Sequence, residues 1–241
     1  CSSDLDVKDL PEKVVKEAVF GSQFHTICSG GAYLNPDYIE LFERFGIQIL
    51  QGYGMTECSP VISTTVAWNV KKNSVGQLLP NCEAKTVDGE LWVRGSSVMQ
   101  GYKKMQEKKK TALKDGWLCT GDLGYVDEER FIYLTGRKKN LIITKNGENV
   151  SPEELENKLS SSRLVQEVLV REAKGVIEAE IYPDEEYAKK QGLEREEEVR
   201  VELQKLIDEY NQGAPAYKKI YSLIIREKEF EKTASRKIKR Y

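Results

Sequence analysis

Residues 51–57 read QGYGMTE, directly after the apolar run FGIQIL. Gly52 and Gly54 permit positive φ and close backbone approach, and Tyr53 offers a ring face on which a base can stack. Thr56 brings a hydroxyl suited to phosphate, and Glu57 a hard carboxylate oxygen of the kind Mg²⁺ takes. Together these types suit a nucleotide site at a strand end. The plainer reading is a tight turn with two polar side chains in solvent, because short glycine motifs recur widely. CSGGA at 28–32 has the same ambiguity, either backbone reaching a ligand or a simple strand-to-helix loop. TGD at 120–122 places Asp122 where a carboxylate can accept from two vicinal hydroxyls, as ribose presents them, or can close an Asx-turn.

The tail KTASRKIKR at 232–240 carries Lys232, Arg236, Lys237, Lys239 and Arg240 with no acid among them. A lysine on a flexible loop can offset the negative charge that builds during phosphoryl or adenylyl transfer. A solvated or nucleic-acid-seeking tail is the alternative. The aromatic interleaving that favours single-stranded nucleic acid is thin, with only Tyr241 adjacent. His25 lies in a predicted strand outside any triad-like order and reads as structural. The lysines of KKK at 108–110 read as a solvated face.

These residues need a scaffold, and the flanking sequence predicts one. LPEKVVKEAVF at 10–20 reads as a helix stopped by Gly21, FHTIC as a strand, NPDYIELFERFG as a helix from Asn35 to Gly46, and IQIL as a second strand. Strand, helix, strand with short joints implies a parallel pair whose carboxyl ends gather ligands. After about residue 70 short strands with turn signals take over: Asp88-Gly89 marks one hairpin and Asp127 to Arg130 another turn. This texture predicts a small β-barrel or meander, interrupted by a solvated helix over KKMQEKKKTALKD. Beyond GRKKN at 136–140 follow strand LIITK, turn NGEN, a helix with Ser151, Pro152 and Glu154 as a capping box, two strands, a long helix near 195–211 and strand YSLIIRE. The fold class is therefore α/β (α+β): a partial parallel β/α layer over about 1–70, a small β-barrel over about 71–136, and a small α+β domain over 137–241.

Composition narrows the classes. The 241 residues are 39 % hydrophobic and 32 % charged, which suits a globular protein of one large or two modest domains. Basic and acidic residues number 15 and 18 over 1–136, and 22 and 21 over 137–241, so neither part is a polycation or an acidic tail. Five cysteines without CxxC and one histidine suggest neither a disulfide framework nor a zinc site. No apolar run approaches the roughly 20 residues of a membrane span. A cytoplasmic location, no transmembrane segment and no nucleic-acid partner are expected. The chain begins at Cys1 rather than Met and reads as a piece of something longer.

Taken in order, SGGAYL, QGYGMTE, GELWVRGSSVMQGY, GWLCTGDLGYVDEERFIYLTGRKKNLIITKNGENVSPEELE and EKTASRKIKR resemble the successive core motifs of the adenylate-forming superfamily. That superfamily includes acyl-CoA synthetases, amino-acid adenylation domains and luciferases. The resemblance runs from about residue 20 to the C-terminus and implies that residues 1–136 are the C-terminal part of a large adenylation domain and 137–241 a small mobile domain.

It further implies roles. Tyr53 stacks on adenine, with the backbone around Gly31 and Ala32 on the other side and Gly54 beside it; Thr56 bonds the α-phosphate and Glu57 holds Mg²⁺. Asp122 grips both ribose hydroxyls, and Arg137 bonds ribose or phosphate. Lys139 is the hinge, Gly147 lines the thiol tunnel, and Lys237 reaches the carboxylate and α-phosphate. The substrates implied are ATP, coenzyme A and a carboxylic acid, a fatty acid by closer similarity to bacterial long-chain acyl-CoA synthetases. An adenylation domain for another carboxylate, or a non-catalytic scaffold, is the alternative.

Two departures stand out. Glu231 and Arg236 occupy positions where the family usually has proline and glycine, so a less sharply turned lysine loop is expected. The Ser/Thr/Gly-rich phosphate loop with its lysine is not among these residues, so a C-terminal fragment, inactive without its N-terminal portion, is expected.

Overall fold

A computed structural model describes residues 12–103, 112–234 and 236–240. The chain divides into two compact units, one ending at Leu134 and the other beginning at Thr135, two residues before the boundary expected at 136/137.

In the first unit, α1 (Glu12–Phe20) ends at Gly21, whose φ of 83° lets its N–H reach back to the Glu17 carbonyl at 3.1 Å. Then come β1 (Thr26–Gly30), α2 (Pro36–Arg44) and β2 (Gln48–Gly54). Asn35 caps α2 by accepting from the Asp37 N–H at 2.9 Å, and Pro36 sits in the first turn. β1 and β2 are parallel, from Thr26 opposite Gln48 to Gly30 opposite Gly52. This pairing moves β1 two residues beyond its expected start at Phe24 and carries β2 through QGYG. The sheet continues antiparallel through β3 (Val61–Thr64) and β4 (Gln77–Leu78).

The second sheet comprises β5 (Cys82–Val87), β6 (Glu90–Gly95), β7 (Leu113–Lys114), β8 (Trp117–Val126) and β9 (Ile132–Arg137), ordered β5-β6-β8-β7 with β9 also on β8. It is a curled half-barrel. Asp88 and Gly89, at φ 50° and 79°, form the predicted two-residue turn. The solvated helix expected over 103–115 falls mostly on 104–111, outside the described residues. Its end is instead strand β7, because Asp115-Gly116, at φ 49° and 78°, makes another tight hairpin that pairs Lys114 with Trp117. Ile62, Leu91, Val93, Leu118 and Ile132 form the core.

In the second unit, β10 (Ile142–Ile143) and β11 (Asn149–Val150) make a small hairpin before α3 (Pro152–Leu159). β12 (Val165–Ala173) and β13 (Val176–Pro183) are antiparallel; β14 (Ile220–Ile225) adds parallel to β13 after α4 (Glu185–Lys190) and α5 (Glu196–Gly213). Leu155, Leu159, Ile181, Leu203 and Ile207 form its core. The expected capping box at α3 is absent: the Ser151 hydroxyl donates to Glu153 Oε2 at 2.9 Å, and Glu154 pairs with Lys218 at 2.6 Å. The acidic first turn offers Ser151 a charged acceptor, and the hydroxyl turned to donate to it does not present its oxygen to a first-turn amide. Among the described residues no helix is long and apolar enough to cross a membrane.

Candidate functional site

The bend after the apolar run lies later than QGYG. Gly52 and Gly54 are strand residues with ordinary φ. Gly54 is required by proximity: a Cβ there would stand 2.0 Å from the Pro60 carbonyl oxygen, which accepts from the Met55 N–H at 2.8 Å. The chain then turns through Thr56–Cys58, a single 3₁₀ turn, and the cis Ser59–Pro60 peptide. This turn leaves Thr56 exposed and Glu57 half-buried.

Tyr53 is buried, and its hydroxyl donates to Asp122 Oδ2 at 2.7 Å. Asp122 reaches that position through a bulge: Glu90 faces Leu123 while Trp92 faces Cys119, so β8 carries two extra residues there. Gly121, at φ 73°, takes the left-handed conformation and donates its N–H to Glu90 Oε1 at 2.9 Å. The Thr120 hydroxyl donates to the Leu91 carbonyl at 2.7 Å and accepts the Asp122 N–H at 3.1 Å. TGD is thus a device that turns a buried carboxylate, only 4 % exposed, toward Tyr53.

The Gly30–Gly52 pairing sets the ends of β1 and β2 side by side. Beyond β1, Gly31 has φ 83° with nothing within 4 Å of where a Cβ would stand, and Ala32 is exposed.

A residue that sequence reasoning gave no role completes the corner. The Tyr102 hydroxyl donates to Glu57 Oε1 at 2.7 Å, and the bond to this carboxylate raises the phenol pKa above its ordinary value. The Met99 N–H holds the Glu57 carbonyl at 2.8 Å. The sequence signal was SSVMQGY, already notable as a motif. No group of three His, Cys, Asp or Glu is poised for a metal among the described residues. One oriented carboxylate beside a hydroxyl fits Mg²⁺ that arrives on phosphates, since that ion commonly keeps waters and few protein ligands.

The second unit carries Arg137 at the end of β9, Lys139 exposed in the 3₁₀ turn Lys138–Asn140, Gly147 at φ 82° in the turn before β11, and the lysine loop. In that loop the Thr233 N–H meets the Lys237 carbonyl at 2.8 Å, and the Arg236 N–H meets the Thr233 carbonyl at 2.8 Å. Arg236 has φ 59°, the left-handed conformation glycine favours. The looser turn expected from the missing glycine does not occur: the loop's own hydrogen bonds impose the conformation on arginine. Three of the five basic tail residues are in ion pairs, Lys232 with Glu167 and Glu229, Lys239 with Glu231, and Arg240 with Glu156. Lys237 is exposed and in no ion pair among the described residues.

Residues 5–103 match the family model described as AMP-binding enzyme, and residues 139–241 match that of the AMP-binding enzyme C-terminal domain. The chain belongs to the AMP-binding enzymes. This agrees with the family expected from the order of the motifs. The AMP-binding chain is 39 % identical over 171 residues to the long-chain-fatty-acid–CoA ligase FadD15 of Mycobacterium bovis, covering 70 % of this chain and 28 % of the relative. It resembles the o-succinylbenzoate CoA synthetase of Bacillus subtilis, solved with its acyl-adenylate intermediate, at TM-score 0.74 and 30 % identity over 88 % of this chain and 44 % of that one. The same synthetase with ATP and a magnesium ion gives TM-score 0.71 at 29 % identity, covering 89 % of this chain and 45 % of that one. This AMP-binding chain therefore spans less than half the length of the relatives it matches.

Proposed function

We propose that the chain is the C-terminal portion of an ATP-dependent acid–thiol ligase that makes acyl-CoA. The observation that carries this reading is the Tyr53–Asp122 hydrogen bond at the carboxyl end of β2, which ties a candidate adenine platform to a candidate ribose carboxylate. Relatives solved with ATP, magnesium ion and acyl-adenylate support it. In the first step a substrate carboxylate oxygen attacks the α-phosphorus of ATP; the bond to the β-phosphate oxygen breaks and pyrophosphate leaves. Thr56 bonds the α-phosphate, Asp122 the ribose, and Arg137 the ribose or phosphate. The Lys237 ammonium offsets charge that grows on the phosphate in the transition state. Mg²⁺, held by Glu57, supplies further neutralisation when bound.

In the second step the coenzyme A thiol, admitted beside Gly147, attacks the acyl carbon, loses its proton and expels AMP. Rotation about Lys139 converts one arrangement to the other. The acid is a fatty acid, as the named substrate of the 39 % identical relative suggests. Without a phosphate loop these 241 residues are inactive alone. A cytoplasmic location for the intact protein is part of the same proposal.

The test is carboxylate-dependent exchange of pyrophosphate into ATP by the intact protein across a panel of fatty and aromatic acids. Lys237→Ala should cripple exchange while sparing thioester formation from supplied acyl-adenylate. Equal loss in both steps overturns the role of Lys237, and exchange with no acid overturns the ligase reading.

A further inference from the structure

The lysine loop is fixed at both feet within the second unit. At one foot Lys232 pairs with Glu167 of β12, whose Oε2 also accepts the Phe230 N–H at 2.8 Å. At the other, the Arg240 guanidinium, four-fifths buried, pairs with Glu156 of α3 and reaches the Val170 carbonyl at 3.5 Å. Glu156 Oε1 accepts the Val170 N–H at 2.8 Å, so helix, strand and tail meet at one carboxylate. Lys237 lies between these feet.

The same guanidinium stands 3.5 Å from Glu153 Oε1, one turn earlier on α3. Glu153 is the acceptor for the other direction: Asn140 Nδ2 donates to Oε1 and the Ser151 hydroxyl to Oε2 at 2.9 Å. Asn140 closes the turn that contains Lys139. Gly136 packs on the same cluster, since a Cβ there would stand 2.1 Å from Ser151 Oγ and 3.1 Å from Glu153 Oε2. A continuous run of hydrogen bonds and ion pairs, Asn140 to Glu153 to Arg240 to Glu156, thus joins the turn at 138–140 to the tail beyond Lys237.

We propose that Arg240 and Glu153 are positioning residues that lock the lysine loop to the Lys139 turn, so that the two travel as one body when that turn rotates. This rests on the roles given above to Lys237 and Lys139. The chemistry favours a lock over a simple anchor. A single Arg–Glu pair would hold the tail, but here the guanidinium is shared between two carboxylates one helical turn apart, and the farther one, Glu153, also fixes Asn140. Removing Arg240 leaves Glu153 and Glu156 close together without their shared cation, which loosens both ends. A lysine loop displaced by about 1 Å is enough to cost about 100-fold in a positioned reaction.

The experiment uses the intact protein with Arg240→Met and Arg240→Lys, and Glu153→Gln as the milder variant should Arg240→Met fail to fold. Two readouts are taken: hydrogen exchange of peptides covering 138–141 and 233–239, and the two half-reactions. Expected for Arg240→Met is faster exchange in both peptides together, with pyrophosphate exchange down about 10- to 100-fold in kcat at little change in the KM for ATP. Thioester formation from supplied acyl-adenylate should fall less. Arg240→Lys should recover part of the rate and protection, and Glu153→Gln should loosen 138–141 more than the tail. Loosening of 233–239 alone overturns the lock, as does equal loss in both half-reactions in proportion to the folded fraction. If the parent shows no pyrophosphate exchange, the ligase reading fails, while the joint protection of the two peptides still decides the lock.

Discussion

Tyr53 and Asp122, 69 positions apart in sequence, are joined by a 2.7 Å hydrogen bond from phenol to carboxylate. The bond spans the two sheets of the first unit, from β2 to the bulge in β8. Tyr53→Phe deletes the donor and leaves a buried carboxylate short of one partner, which costs about 1–3 kcal/mol. Chemical denaturation should show that loss, and calorimetric titration of the intact protein with AMP should show weaker binding. Unchanged stability together with unchanged AMP affinity would show that the pair orients nothing.

Tyr102 acts on the neighbouring carboxylate. Its hydroxyl holds one oxygen of Glu57, and partners behind a metal-binding carboxylate typically carry 10- to 100-fold in affinity. Tyr102→Phe should therefore raise the Mg²⁺ concentration for half-maximal pyrophosphate exchange by about tenfold, with the saturated rate less affected. A metal requirement identical to the parent's removes Tyr102 from the site.

The parts legible in the sequence were those dictated locally. Asn35, Gly46 and Asp88-Gly89 act within a few residues, so α2 and the β5–β6 turn follow from side-chain and backbone preferences alone. The strand-helix-strand order required a parallel pair, and the pair formed. Asp115-Gly116 carries the same turn signal but was masked by the charge density before it. The capping box at Ser151 failed because the hydroxyl is turned to donate to Glu153, an orientation the spacing of residues does not reveal. The contacts of Tyr102 and Arg240 are hidden in the sequence for a different reason: their partners, Glu57 and Glu156, lie 45 and 84 positions away.

Arg236 offers a test of backbone rather than charge. At φ 59° a non-glycine residue loses about 1–2 kcal/mol relative to the ordinary helical region. Arg236→Gly removes that strain but regains unfolded-state freedom, so the net gain should be at most about 1 kcal/mol. Arg236→Val, whose branched side chain tolerates positive φ poorly, should lose about 1–2 kcal/mol and speed amide exchange at 233–239. Stability in the order Gly, Arg, Val confirms an imposed left-handed residue; Val equal to Arg shows a loop that relaxes.

Glu156 makes the second unit's stability depend on pH in an unusual direction. Burial raises its carboxyl pKa above the ordinary 4.5, even though the hydrogen bond and charge of Arg240 and the Val170 amide pull it down, while nearby Glu153 pushes it up. Between the ordinary and the raised value, the folded state keeps a proton that the unfolded state has released. The stabilising contribution is therefore full below about 4.5 and is lost as pH rises through the raised value. Most carboxylates with lowered values act the other way, so the contribution must be isolated by difference. Amide exchange in β12 and β13, measured from pH 4 to about 7 for the parent and Glu156→Gln, should show the glutamine variant gaining relative to the parent as pH rises. Any pH-independent cost of leaving Arg240 with Glu153 alone cancels in that slope. A difference that is flat, or that favours the parent as pH rises, means that Arg240 outweighs burial at this site.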